Sequence, residues 1–112
     1  MSGPLIRQKL LDAQTTLGVT ALFPASLNGE YVEFTIYVTF NGTSAAGVVM
    51  LETAPEADYA GTWANIGTVT WSAASKAAYV SVTGVFNALR VRISTAVTTG
   101  TCDVFLVAAA TH

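Results

Sequence analysis

Charge is the scarcest property of this sequence. Lysine, arginine, aspartate and glutamate together make up 11% of its 112 residues, against a usual share of about 25%. Five basic and seven acidic residues leave a net charge of -2. No basic surface is available to neutralise a run of phosphates, so nucleic acid is not an expected partner. The single cysteine, Cys102, excludes an intrachain disulfide and a cluster of metal-binding thiolates. The single histidine, His112, is the last residue. It has no second histidine with which to hold a metal, and no serine has a plausible histidine base, so no catalytic, cofactor-binding or metal residues are predicted. Long apolar runs are missing too: nothing approaches the roughly 20 residues that cross a bilayer. The N-terminal stretch MSGPLIRQKLLDAQTT lacks the apolar core of about seven or more residues that a secretory signal needs, so synthesis in a cytoplasm is expected.

What is present is apolar. Hydrophobic residues reach 52%, dominated by alanine and valine. A charge-poor chain of this kind, without a membrane segment, is expected to have much of its surface covered by partner subunits. Its length suits one domain able to bury a core without disulfides.

Residues 4–16 form the one helix-friendly segment, with Pro4 at its start and Leu5, Ile6, Lys9, Leu10 and Asp12 in a partial amphipathic pattern. It reads as a short helix or as an extended arm that orders on a neighbour. From residue 18 the texture changes to valine, threonine, tyrosine, phenylalanine and isoleucine in short runs broken by glycine, asparagine and proline, as in strands separated by turns. The clearest strand is 31–40. Val32, Phe34, Ile36, Val38 and Phe40 fall on one face, and Tyr31, Glu33, Thr35, Tyr37 and Thr39 on the other. Asn41-Gly42 reads as a tight turn, returning into a strand at 46–53. Further strands read at 18–23, 62–71, 77–83, 86–95 and 101–109, with a bulge suggested at Gly67. About seven short strands predict an all-β chain, a single antiparallel β-sandwich of jelly-roll or immunoglobulin-like type, with a small barrel as the alternative. The division predicted is an arm or short helix over 1–17 and a sandwich over 18–112.

The last two strands pair as a hairpin centred between Thr98 and Thr99. Val91 then faces Leu106, Ile93 faces Val104 and Leu89 faces Ala108 on the inner side. The outer side receives Arg90 opposite Val107 and Arg92 opposite Phe105. The core anchors predicted are Phe34, Ile36, Val38, Trp63, Val91, Ile93, Val104 and Leu106. The candidate protein interface is Arg90, Arg92, Phe105 and Val107, joined by Leu5, Ile6 and Leu10 of the arm. Arginine and aromatic residues are enriched in interfaces; the plainer account is arginine stems covering apolar neighbours on a solvated face.

Other groupings are weaker. Cys102 falls on the inward face and reads as a small core hydrophobe. Glu52, Glu56 and Asp58 surround the 53–61 loop but match no calcium-loop spacing. Asn41-Gly42-Thr43 matches a glycosylation sequon, though the turn accounts for the Asn-Gly pair. Trp63 and Trp71 with Tyr59 and Tyr79 offer a sugar-stacking platform or, more commonly for a small sandwich, core and interface anchors.

Val49-Met50-Leu51-Glu52-Thr53, a short polar loop, and Tyr59-Ala60-Gly61-Thr62-Trp63-Ala64-Asn65-Ile66 follow one another in a recognisable order. Val82-Thr83-Gly84-Val85-Phe86, Leu89-Arg90-Val91-Arg92-Ile93-Ser94 and Gly100-Thr101 continue it. Over about residues 31–109 this set resembles small virion proteins of tailed bacteriophages, in which a Leu-Glu strand leads through a loop to a Gly-x-Trp strand. This chain has Asp58-Tyr59-Ala60-Gly61 where many relatives carry an Asp-Gly turn. The resemblance implies a non-enzymatic virion component: a capsid decoration (cement) protein, a head-fibre or neck part, or a tail accessory protein. The expected partners are the major capsid protein or other virion proteins and further copies of the chain, with a trimer favoured at a capsid symmetry axis. A carbohydrate-binding module is the alternative from another class.

Overall fold

Two strands far longer than the sequence suggests organise the molecule. A computed structural model describes residues 5–16, 18, 20–23, 32–73, 76–84 and 86–109, the side chains of Leu5 and Ile6 excepted. These residues form β1 (Leu5–Gln14), β2 (Thr20–Leu22), β3 (Glu33–Ala54), β4 (Ala64–Thr70), β5 (Ala77–Thr83) and β6 (Ala88–Ala109), with no helix among them. All pairings are antiparallel. β3 and β6, 22 residues each, pair from Glu33↔Ala109 at one end to Ala54↔Ala88 at the other.

A straight strand of that length would run for about 70 Å, yet the longest dimension of the molecule is 40 Å. The β3–β6 ribbon therefore folds on itself. The register slips between Gly42 and Val49, where both strands turn the corner. Gly42 sits at φ 68 opposite Gly100. A β-carbon on Gly100 would lie 2.2 Å from the Asn41 carbonyl oxygen, so only glycine lets the two backbones pass this closely. Thr43 and Thr99 secure the corner, each hydroxyl donating to the other's carbonyl.

Each half of the ribbon gains a strand on either side. Residues 33–39 of β3 and 102–109 of β6 are flanked by β5 and β1, giving a layer ordered β5-β3-β6-β1. Residues 48–53 of β3 and 90–92 of β6 are flanked by β4 and β2, giving β4-β3-β6-β2. The inward residues of both layers form one core. Phe34, Ile36, Val38, Val49, Leu51, Leu89, Val91, Ile93, Val104, Leu106 and Ala108 are all essentially inaccessible. The layers touch directly where Phe23, just after β2, packs its ring 6.1 Å from that of Phe34. They touch again where Gly67 of β4 leaves room for Val80 of β5.

The all-β sandwich expected from the sequence is the observed fold, built by different connections. Residues 5–14 are a strand, not a helix: β1 pairs with β6 and carries register shifts after Lys9 and after Leu11. The extra residue at the first shift lets Leu10 and Leu11 both contact the core, which imitates helical spacing. Asn41-Gly42 is part of the corner rather than a hairpin turn, so residues 33–40 and 46–53 are one strand. Likewise residues 88–95 and 101–109 are one strand, and the predicted hairpin between them does not exist. Val91 pairs with Leu51 and Leu106 with Ile36, while Ile93 pairs with Val49 and Val104 with Val38. The bulge expected at Gly67 falls beside it at Ile66, where the register shifts between Leu51↔Gly67 and Glu52↔Asn65.

Candidate interaction surface

The corner in β6 separates residues that the hairpin had grouped. Arg90 and Arg92 lie on the outer face of the β4-β3-β6-β2 layer, whereas Phe105 and Val107 lie on the outer face of the other layer. Inward and outward parity survives; adjacency does not.

On the first of these faces Glu52 stands directly across from Arg90. Its two carboxylate oxygens accept from both arginines, Arg90 Nε at 2.8 Å and Arg92 Nε at 3.1 Å, with Arg92 Nη2 at 3.0 Å. The arginines cover Glu52, leaving its side chain 4% exposed. Arg90 in turn lies 4.3 Å from the centre of the Trp63 ring. Burial raises the Glu52 pKa, but hydrogen bonds from Arg92 and Arg90 outweigh it and hold the carboxyl below its usual range. Trp63 is buried in a small satellite cluster with Ala54 and Ala88, apart from the main core, and its indole N–H donates to the Tyr59 carbonyl. This face is thus closed by its own ion pairs and indole.

The other face is open. Tyr79 of β5, Tyr37 of β3, Phe105 of β6 and Lys9 of β1 are successive cross-strand partners, forming one row across all four strands. Tyr79 is 66%, Tyr37 46% and Phe105 40% exposed. The tyrosine rings are 5.8 Å apart, and Lys9 Nζ lies 5.3 Å from the Phe105 ring centre. The next row reads Ser81, Thr35, Val107, Arg7. Lys9 also pairs with Asp12 at 2.8 Å and Asp103 at 3.7 Å. Asp103 accepts from the Ala13 backbone N–H and from Asn41 Nδ2. Burial opposes ionisation of Asp103, and the bonds from Ala13, Asn41 and Lys9 overcome it, so its pKa is lowered.

The remaining candidates separate clearly. Leu5 and Ile6 pair with Ala109 and Ala108 through backbone, and their side chains lie outside the described residues; Leu10 packs partly against the core. Phe34, Ile36, Val38, Val91, Ile93, Val104 and Leu106 are in the main core. Cys102 is wholly buried, and burial, followed by the Asp103 charge, pushes its thiol up to about 11. Glu52 is drawn away from the acidic loop, while Glu56 is raised chiefly by a hydrogen bond with Asp58. Among the described residues no group of three or more histidine, cysteine, aspartate or glutamate side chains is placed to hold a metal. His112 lies outside them. Sequence reasoning read Tyr37 and Phe105 as outward and grouped Tyr79 with Tyr59 and the tryptophans, but missed the Tyr79–Tyr37–Phe105 row because strand pairing alone brings the three together.

No protein-family model matches this sequence, and no curated protein matches it. The fold is similar to the crystal structure of YomS, a protein derived from the SPBc2 prophage. That likeness has a TM-score of 0.61 at 14% identity, covering 96% of this chain and 94% of that one. It is also similar to a chain from Bacillus endospore appendages, described as a family of disulfide-linked pili. There the TM-score is 0.53 at 12% identity, with 100% and 92% covered. At such identities the likeness is one of fold.

Proposed function

We propose that this chain is a structural component of a bacteriophage virion, in its most specific form a decoration protein that binds and stabilises the assembled capsid. The observation that carries this reading is the open row of Tyr79, Tyr37 and Phe105. Three neighbouring aromatics left in water on a chain this poor in charge mark a surface that a partner covers. The shared fold with a prophage-derived protein and with an appendage subunit supports a building-block role, as does the ordered motif set. Binding the assembled shell in preference to its free subunits would stabilise that shell by mass action.

Disulfide linkage of the appendage kind is not available to a chain whose one cysteine is buried. Nor does truncation of residues 1–16 isolate an arm, because it would remove a sheet strand and uncover the core around Leu11. Point substitutions on the open face are the cleaner test. The triple variant Tyr37→Ser, Tyr79→Ser, Phe105→Ser should fold yet be lost from purified particles. Particle imaging of the parent chain should show many copies over the shell. A handful at one vertex would favour a neck or tail part, and complete absence from particles would overturn the virion reading.

Carbohydrate binding remains the reading from another class, favoured by Tyr79 standing exposed beside Tyr37. Trp63 is buried and Trp71 half-buried, so the platform would be tyrosine-based. A glycan array without hits removes it.

A further inference from the structure

We infer that the open β5-β3-β6-β1 face is self-complementary and is covered by the same face of a second copy, related by a two-fold axis parallel to the strands. The inference rests on the reading of this face as a docking surface and goes further by naming its occupant. Face-to-face sheets pack about 10 Å apart with their strands roughly aligned. An axis lying between β3 and β6 in the plane of contact reverses the strand order of one copy over the other. The row Tyr79, Tyr37, Phe105, Lys9 then meets its own reverse. Lys9 lies over Tyr79 of the second copy, and Tyr37 lies over Phe105.

The row has the chemistry this superposition needs. A cation, Lys9, stands at its β1 end, and its most exposed aromatic, Tyr79, stands at its β5 end. Each end supplies what the other can use in a cation–π contact. Rotation about an axis across the strands would instead stack Lys9 on Lys9 and Tyr79 on Tyr79, placing like charges together. The two-fold contact also replaces the trimer as the expected self-association through this face.

The size of the face sets the strength of the contact. Four strands about 4.8 Å apart and seven residues about 3.3 Å each give a patch of roughly 440 Å², or about 900 Å² over both copies. That is below the roughly 1,200–2,000 Å² of stable complexes. The free chain should therefore dimerise weakly, and firmly only where an assembly concentrates it.

Cysteine pairs test the geometry. Ser81 and Arg7 lie at opposite edges of the second row, too far apart to bond within one chain, and the native thiol is buried. Mixing Ser81→Cys chains with Arg7→Cys chains and adding a short bis-maleimide, which can span the gap of about 10 Å between facing sheets, should give a cross-linked heterodimer, while neither variant alone should cross-link comparably. Sedimentation of the parent chain should show reversible dimers. Lys9→Gln and Tyr79→Ser, both on exposed positions, each remove two symmetry-related contacts from the dimer and should weaken it about five- to thirtyfold. Cross-linking of Ser81→Cys to itself as readily as to Arg7→Cys would overturn the proposed axis. A purely monomeric parent chain at about 1 mM would overturn self-association altogether. A monomeric chain still incorporated into particles removes this contact and leaves the virion reading intact; a dimeric chain absent from particles does the reverse.

Discussion

Arg90 and Glu52 stand directly opposite each other on β6 and β3, with Arg90 Nε 2.8 Å from Glu52 Oε1 and the guanidinium 4.3 Å from the centre of the Trp63 ring. Because Arg92 uses the other carboxylate oxygen, one anion bridges two cations and leaves the cluster with a net charge of about +1. Glu52→Gln keeps the shape but leaves the arginines repelling one another. Removing one partner of a fully buried pair costs about 3–5 kcal/mol; arginine side chains 25% and 31% exposed reduce this to about 2 kcal/mol. Urea unfolding of the variant should show that loss, and a change under about 0.5 kcal/mol would mean the cluster is energetically idle.

The same carboxylate makes the fold sensitive to acid, together with Asp103. Both have folded-state pKa values below their ordinary ones, so between the folded and unfolded values the unfolded chain binds more protons. Their contribution is complete above the unfolded values of about 4 and is lost as pH falls through the folded ones. Urea midpoints should stay level from pH 7 to about 5 and then decline. The double variant Glu52→Gln, Asp103→Asn should begin less stable and decline less steeply. An equal slope in both proteins would assign the acid loss to other groups.

These two carboxylates also mark how far the sequence could be read. Which side of each strand faces inward was legible, because alternation records burial: Val91, Ile93, Val104 and Leu106 are all in the core. Strand partners were not. The inward positions change parity within β3, from Phe34, Ile36 and Val38 to Val49 and Leu51, and within β6, from Val91 and Ile93 to Val104 and Leu106. A corner and a hairpin leave that same mark. Asn41-Gly42 compounds the ambiguity, since positive φ serves a turn and a corner alike. The ion cluster and the aromatic row depend on cross-strand partners, so neither was visible before the pairing was known.

The corner itself can be tested at Gly100. A methyl group there would meet the Asn41 carbonyl oxygen at 2.2 Å and the Ser44 nitrogen at 2.7 Å. Both are backbone atoms that cannot swing away. Gly100→Ala should therefore destabilise by about 3 kcal/mol or more in thermal or urea unfolding. Gly18→Ala, where nothing lies within 4 Å of the added carbon, is a control limited to the cost of its φ of 89. Equal losses at both sites would mean that the ribbon does not cross here as described.

Cys102 reports on the core beside that corner. It pairs with Phe40 in β3 and Gln14 in β1, is wholly buried, and has its thiol raised to about 11. At pH 8 only about one thiol in a thousand would be the reactive thiolate even if reagent could enter. Labelling by a maleimide or disulfide reagent should therefore be slow in the native chain and accelerate as urea opens the fold, following the unfolding curve. Cys102→Ser places a hydroxyl where the thiol lies buried and should cost about 1–3 kcal/mol, more than Cys102→Ala if the hydroxyl finds no acceptor. Rapid native labelling would show instead that β1 lifts from β6 without global unfolding, and hydrogen exchange along Leu5–Gln14 would then be fast as well.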